Sequence, residues 1–227
     1  MQANQTDLEF IRARAESMGA EIWLEDNQLF VRSRTHWGTS PALTLTYGAG
    51  LLRFSVLADL TTQASELHVS GWNVAQKTDF DQQAAALPAT LTPNNGQTGG
   101  NILAQAFGEQ PARVVHTAPV NAEAADQYAQ ARFEAQARRF ITGTGIAVAE
   151  PELRIGQVVA LEGLGERHSG LYYCVGVRHR FDTTHGYRIE FDVERADFAP
   201  GEARRPPISR PGSRRPPSKR PNMGKKE

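Results

Sequence analysis

The chain opens with apolar residues at helical spacing and then changes to short segments in which apolar and polar residues alternate. One apolar set recurs at steps of three and four residues and predicts an amphipathic helix: Leu8, Ile11, Ala15 and Met18. Thr6 and Glu9 have the spacing of a capping box before this helix. Gly19 follows it, where a left-handed C-terminal cap is expected.

Two β-prone runs at 20–24 and 29–33 flank a polar turn and predict a hairpin. Helix and hairpin together are predicted to form a small subdomain, 1–40. Three further strands are predicted at 43–47, 51–56 and 67–72. In the second of these strands, one face is expected to carry Leu52, Phe54 and Val56.

The periodicity weakens from Gln76 to Ala112, where Ala, Pro, Thr, Asn and Gly dominate, so 76–112 is predicted to be a linker or long loop. Asn121 is a suitable N-cap for a helix running to about Phe140. Three more strands are predicted at 157–162, 171–180 and 187–195. Strands interrupted by one long helix favour an α+β domain with an antiparallel sheet, open or closed into a barrel, formed by 41–75 and 113–198.

The composition is that of an ordinary globular chain, but the charge is unevenly distributed. Of its 227 residues, 40% are hydrophobic and 22% are charged, which excludes wholesale disorder. From Gly201 to Glu227, nine Arg and Lys side chains face two Glu, a charge of +7. Since the whole chain is neutral, the preceding part carries −7. The segment 199–227 is also rich in proline, so we expect a disordered, extended basic tail that contributes nothing to folding.

Compartment signals are few. No apolar run approaches the roughly 18 residues needed to span a membrane, and we expect no secretory signal at the N-terminus. Cys174 is the one cysteine, so an internal disulfide is excluded and a reducing compartment is expected.

The sequence has none of the common motifs for a nucleophile elbow, a P-loop, a dinucleotide fingerprint or a metal-binding helix pair. Gly163-Leu-Gly165 lacks a third glycine and is better interpreted as a turn between strands. His179, Asp182 and His185 are a candidate metal site at a predicted hairpin. The favoured alternative is a strand end followed by polar turn residues, since no fourth ligand is visible in the sequence.

Two further chemical hypotheses are weaker than their structural alternatives. Cys174 lies in an apolar strand, where a buried thiol is commoner than a catalytic one. Five acidic residues could supply a carboxylate pair for glycoside or peptidoglycan hydrolysis: Glu162, Glu166, Glu190, Asp192 and Glu194. The last three alternate with apolar residues, which favours the polar face of a strand.

The basic tail could bind nucleic acid through phosphate neutralisation, without reading sequence because it contains no aromatic residue. A solubilising or docking function is the alternative, and an acidic spike or cargo protein is the hypothesised target.

The order of short motifs along the chain resembles the phage late control D proteins and the hub part of VgrG-type proteins. These are baseplate hubs of contractile tails, type VI secretion systems and other contractile injection systems. The resemblance covers about Gln2 to Ala196, and its motif residues are Asn4, Asp7, Leu8, Phe10, Gly71, Trp72, Pro151, Leu153, Gly156, Gly163, Gly170, Tyr172, His179, Phe181, Gly186, Tyr187 and Arg195.

The resemblance implies a structural protein with no catalytic residue and no cofactor, in which these positions determine the fold. It implies an antiparallel tube-type β-barrel with a packed helix, preceded by the helix and hairpin. Family members form trimers with two such barrels per subunit, in a ring that joins a hexameric inner tube to a threefold spike. The implied partners are two further copies, an inner tube protein and a spike protein, with baseplate wedge proteins or cargo as additional candidates. The implied location is a phage tail or injection particle assembled in the bacterial cytoplasm.

This chain departs from the family pattern at both ends. It starts almost at the Asn4 motif, where family members usually have a complete first barrel, so the missing barrel is expected either to be lost or to come from another chain. It ends in the basic tail instead of an oligosaccharide-binding-type domain and needle, so spike attachment is expected to need a separate protein.

Overall fold

The structure, a computed structural model, describes residues 4–33, 40–115, 119–148 and 150–200. The helices are α1 (Asp7–Ser17), α2 (Gly99–Phe107) and α3 (Ala122–Arg138). The strands are β1 (Ala20–Glu25), β2 (Gln28–Ser33), β3 (Leu43–Tyr47), β4 (Gly50–Ala58), β5 (Glu66–Asn73), β6 (Thr78–Ala84), β7 (Pro111–Val114), β8 (Ile141–Val148), β9 (Val158–Glu162), β10 (Gly170–Asp182) and β11 (Gly186–Arg195). The prediction of a disordered tail falls on 201–227, outside the described residues.

Helix α1 begins at the predicted capping box. The backbone N–H of Thr6 donates to Glu9 Oε2 at 2.8 Å, and the Glu9 N–H donates to Thr6 Oγ1 at 3.3 Å. Two otherwise free donors at the helix start are thereby satisfied. The predicted hairpin is also present, because β1 and β2 form a separate antiparallel pair. That helix and hairpin form an independent subdomain remains a prediction.

Six strands form a closed barrel in the order β10-β11-β8-β4-β3-β9. The antiparallel expectation is correct for four of the neighbouring pairs and wrong for β3, which runs parallel to both β4 and β9. Leu43 of β3 lies opposite Val159 of β9, more than a hundred residues later in the chain. Because no short turn joins these two strands, no local signal in the sequence indicates their relative direction.

The barrel interior is filled with side chains. Alternate residues of β11 are buried, including Ile189, Phe191 and Val193, as the period of two predicts. They pack with a larger buried set that includes Leu45, Leu51, Phe140, Ile141, Leu153, Val159, Leu161, Tyr172 and Cys174. The interior is therefore a hydrophobic core, as is usual for small barrels.

One predicted face in β4 is shifted by a bulge. The register with β8 changes between Leu51 and Arg53, so Leu51 is fully buried whereas Leu52 is 44% exposed. Phe54 and Val56 still pack against the core. The extra residue of a bulge turns the preceding side chains to the opposite face, which a strict period of two does not predict.

A second layer consists of α3 on a three-stranded sheet with the order β6-β5-β7. Leu67 and Val69 of β5 and Phe133 of α3 belong to its core. Two sequence predictions are therefore wrong: β5 does not belong to the barrel, and 76–112 is neither a linker nor one long loop. That segment contains β6, α2 and β7. Strand β6 is a largely polar edge strand and α2 is short, so neither gives a strong apolar period.

Candidate functional site

The hairpin formed by β10 and β11 projects beyond one rim of the barrel. Strand β9 pairs with β10 only from Gly170 to Tyr173, and β8 pairs with β11 only from Arg188 to Arg195. Among the strands that the structure describes, the rest of β10 pairs only with β11, and the first two residues of β11 pair only with β10, on either side of the turn at 183–185. This part of the hairpin therefore continues the barrel wall beyond the rim.

A groove of about 610 Å³ lies beneath this projection, and we call it the rim groove. Its lining includes Trp23 and Leu24 of the β1–β2 hairpin, Ile155, and Val177, His179 and Tyr187 of the β10–β11 hairpin. The Trp23 ring stacks on Phe30 with centroids 5.3 Å apart.

Two of the family-motif residues meet in the rim groove. His179 Nδ1 lies 2.6 Å from the Tyr187 hydroxyl, and the two rings stack at 6.0 Å. The rim groove thus has aromatic faces contributed by two hairpins that are far apart in the chain.

The charged groups in and beside the rim groove are of both signs. Asp26 is part of the lining, and Glu152 is exposed beside the lining residue Pro151. Asp182 lies at the exposed hairpin tip, where a hydrogen bond from the backbone N–H of His185 lowers the pKa of its carboxyl. The lining guanidinium of Arg154 already donates to the carbonyls of Pro151 and Leu153, at 2.6 Å and 3.0 Å. Asp26, Glu152 and Arg154 are all exposed, so charges of both signs are accessible here.

At the opposite end of β11, a buried polar cluster fastens the end of the described chain to the barrel. Asp197 is fully buried and accepts hydrogen bonds from Asn94 N, Asn94 Nδ2 and Gly96 N, at 3.1, 3.1 and 3.2 Å. Asn94 also exchanges two hydrogen bonds with the backbone of Leu171 in β10. Burial raises the pKa of the Asp197 carboxyl, although these bonds partly oppose the shift. We call this arrangement the C-terminal clamp.

Arg195 extends the C-terminal clamp across the barrel end. It is 4% exposed, donates to the carbonyls of Ser169 and Arg167, and places its guanidinium 4.3 Å from the ring centroid of Tyr172. The Tyr172 hydroxyl donates to the carbonyl of His168 at 2.7 Å. Arg195 therefore joins two loop carbonyls and an aromatic ring at this end of the barrel, and its fold-determining role stays a prediction.

The metal hypothesis receives no support from the hairpin geometry. His179 bonds with Tyr187, whereas His185 Nδ1 lies 3.2 Å from Asp182 Oδ1 within the turn. Within 4–33, 40–115, 119–148 and 150–200, no group of three His, Cys, Asp or Glu side chains could hold a metal ion.

Cys174 is fully buried, and burial raises the pKa of its thiol to about 12. Its Sγ donates to the carbonyl of Gly176 at 3.4 Å. The thiol is therefore protonated at neutral pH, the opposite of what a nucleophile needs.

The five candidate carboxylates have separate surroundings. Glu190 binds Arg180 at 2.7 Å and Arg178 at 3.3 Å. Glu194 lies 3.5 Å from Arg138, and Glu162 accepts a hydrogen bond from Thr46. The remaining two, Asp192 and Glu166, are exposed. Two of the five thus form ion pairs with arginines, and the hydrogen bond from Arg180 lowers the pKa of Glu190, the opposite of what a general acid needs.

The family-motif residues differ in burial. Leu153, Gly156, Tyr172 and Arg195 are buried, whereas Asn4, Asp7, Leu8, Trp72, Pro151, Gly163, His179 and Phe181 are exposed. Phe10, Gly71, Gly170, Gly186 and Tyr187 are intermediate. A Cβ at Gly71 would lie 2.4 Å from Phe80 Cζ, so any side chain there has to displace that ring. Trp72 is 56% exposed, so core burial does not explain it.

Sequence reasoning missed Asn94 and Asp197, which lie 103 residues apart. Asn94 lies in the segment Pro93-Asn-Asn-Gly96, and Asp197 precedes Phe198. Both neighbourhoods are typical of ordinary loops, so neither indicates a buried cluster. Trp23 and Leu24 were assigned to a strand but not to a groove, since their partner hairpin follows some 150 residues later.

The barrel, its projecting hairpin and the α3-covered sheet define a fold shared with phage tail proteins. The tail protein from Neisseria meningitidis MC58 superposes with a TM-score of 0.59 at 15% identity, over 86% of this chain and 56% of that chain. The 43 kDa tail protein of prophage MuSo2 from Shewanella oneidensis gives 0.58 at 14% identity, over 86% and 55%. A chain from the virion of a native gene transfer agent particle gives 0.51 at 18% identity, over 87% and 40%. This chain therefore spans about half the length of the solved tail proteins that it matches.

The family is shown independently of these superpositions. Residues 1–183 match the model of the family described as the Alg8 N-terminal domain, and the chain belongs to that family. The comparison with curated proteins gave no match. Among the described residues, no helix is both long and apolar enough to cross a membrane.

Proposed function

We propose that this chain is a structural, non-enzymatic component of a phage tail or tail-like injection particle, acting in the baseplate hub that joins the inner tube to the spike. The observation that carries the proposal is the fold: 86% of the chain superposes on tail proteins from two different bacteria. The order of the late control D motifs along the sequence supports the finer assignment to the hub.

The chemistry of the described residues favours the same proposal. The one thiol is protonated, and the candidate carboxylates are dispersed or paired with arginines. The acidic body would also suit contact with basic neighbours, or a lumen through which cargo passes.

The proposed assembly is a homotrimer that binds an inner tube protein on one side and a spike protein on the other. Native mass spectrometry and negative-stain images of the full chain test this directly, alone and with candidate tube and spike proteins. We expect a species of three times the 24.9 kDa chain mass, alone or once a partner is present. A permanent monomer without affinity for either partner would overturn the hub assignment.

A further inference from the structure

The basic C-terminal segment contains a repeat with a ten-residue period. Arg204-Arg-Pro-Pro-Ile-Ser-Arg-Pro211 is followed by Arg214-Arg-Pro-Pro-Ser-Lys-Arg-Pro221. Six of the eight positions are identical between the two copies. A general solubilising tail needs positive charge but no fixed spacing of prolines, so the repeat indicates a binding motif.

The chemistry of the repeat defines what it can bind. Prolines favour the extended polyproline conformation, which docks into grooves lined by aromatic side chains. Arginines stack on aromatic faces and pair with carboxylates. Proline lacks the N–H needed for strand pairing, so recognition by side-chain surfaces is favoured over addition to a sheet edge.

The rim groove offers this combination of surfaces. Trp23, His179 and Tyr187 provide aromatic rings, and Leu24 and Ile155 provide apolar wall. Asp26 belongs to the lining, and Asp182 lies at the exposed tip of the hairpin that covers it. A tail of +7 facing a body of −7 adds long-range attraction.

Chain length decides which copy of the repeat can reach the rim groove in the same molecule. Phe198 is fixed by a 3.0 Å hydrogen bond from its N–H to the Gln97 carbonyl, at the end of β11 opposite to Tyr187. From Arg195 to Tyr187, β11 spans about 27 Å at about 3.4 Å per residue. An extended tail gains about 3.1 Å per residue, so from Pro200 it covers about 12 Å to Arg204 and about 43 Å to Arg214. The whole second copy therefore lies beyond this distance, whereas Ile208 of the first copy lies only about 25 Å along the tail and just the last residues of that copy exceed about 27 Å.

We propose that the second repeat, 214–221, binds in the rim groove of its own chain, with proline rings against the aromatic faces and arginines toward the carboxylates at the rim. The site is lined by the outer parts of two hairpins, and its residues Val177 and Tyr187 also pack against the barrel core. The proposal does not depend on the hub assignment.

Photocrosslinking in the full chain tests the proposal, with benzoyl-phenylalanine placed at Ser218 of the second repeat or at the matched Ile208 of the first. We expect the Ser218 probe to give intramolecular products that map to 23–26, 151–155 and 177–187. The Ile208 probe should give at least about tenfold less product at these sites. Crosslinks from Ser218 spread over the whole body, or equal yields from both probes, would overturn it. Products of twice the chain mass would place the repeat in the groove of another copy and overturn the intramolecular arrangement.

Three variants identify which contacts matter. Replacing Pro216 and Pro217 by alanine alters nothing within 4–200, so the fold is retained, and we expect about a tenfold lower crosslink yield at the groove. Trp23→Leu should have a similar effect, whereas the matched change Trp72→Leu on β5 should have none. Yields that ignore the proline changes and depend only on salt would show unspecific attraction and overturn docking in the groove.

Discussion

Gly145 of β8 offers a sharp test of how the barrel interior is packed. It lies opposite Phe191 of β11 and Phe54 of β4 in the strand registers. A Cβ at this position would lie 2.2 Å from Phe191 Cζ and within 2.7 Å of two further ring atoms. The Gly145→Ala variant must therefore move a ring that is only 2% exposed.

The size of the effect follows from two opposing contributions. Carbon atoms pack at about 3.5–4.0 Å, so the Phe191 ring has to shift by more than about 1 Å. Overpacking of this kind lowers the free energy of unfolding by about 1–3 kcal/mol. Replacing glycine by alanine restricts the unfolded chain and returns about 0.4–1 kcal/mol. We expect a net loss of about 1–2 kcal/mol in the free energy of unfolding. At about 2–4 °C per kcal/mol for a domain of this size, Tm falls by about 2–8 °C.

Differential scanning calorimetry and urea unfolding measure this loss. The control is Thr144→Ala at the exposed neighbouring position, whose free energy of unfolding should lie within about 0.5 kcal/mol of that of the unmodified chain. Phe191→Leu removes the ring atoms that meet the new methyl group. The double variant should therefore lose at least about 0.5 kcal/mol less than the sum of the two single variants. An unchanged Tm for Gly145→Ala, or strict additivity in the double variant, would refute the packing argument.

Three further predictions concern other buried groups. Cys174 should be unreactive toward iodoacetamide at pH 8 in the native protein and reactive in guanidinium, because burial raises its pKa to about 12; rapid native alkylation would contradict this. Tyr172→Phe removes the hydroxyl that donates to His168 O and should cost about 1 kcal/mol in urea unfolding. For Asp197, burial raises the pKa of the carboxyl in the folded state above its ordinary value of 3.8. Protonation of Asp197 therefore stabilises the fold fully below pH 3.8, and this stabilisation is lost as pH rises through the raised pKa. The unfolding free energy of the unmodified chain minus that of Asp197→Asn should accordingly fall over this pH range, and a difference that rises or stays flat would disprove the assignment.

Elements with local signals could be predicted from the sequence. The capping box at Thr6, the Asn121 cap of α3 and the alternation in β11 each depend on residues within a few positions of one another. Asn121 Oδ1 accepts a hydrogen bond from the Ala124 N–H at 2.8 Å, as an N-cap does. Such signals predict a helix or strand and which of its faces is buried, but they do not predict which other helices or strands it packs against.

The features that the sequence did not reveal depend on distant residues. The parallel pairing of β3 with β9 joins 43–46 to 159–162. The C-terminal clamp needs Asn94 and Asp197 together, and the rim groove needs Trp23 and Tyr187 together. Strand β6 was missed for another reason: it is an edge strand whose Asp79, Asp81 and Gln83 are exposed, so the pattern resembled a polar loop.

The filled barrel has a consequence for genetics. Since Ile189, Phe191 and Val193 lie inside while Glu190 and Asp192 face outward, a saturation scan from 189 to 193 should show a period of two. Inward substitutions should reduce the abundance of the protein, whereas outward ones should leave abundance intact and change only what the surface contacts. Suppressors of inward defects should arise within the barrel interior, and suppressors of outward defects in other proteins. One strand would thus report separately on folding and on assembly.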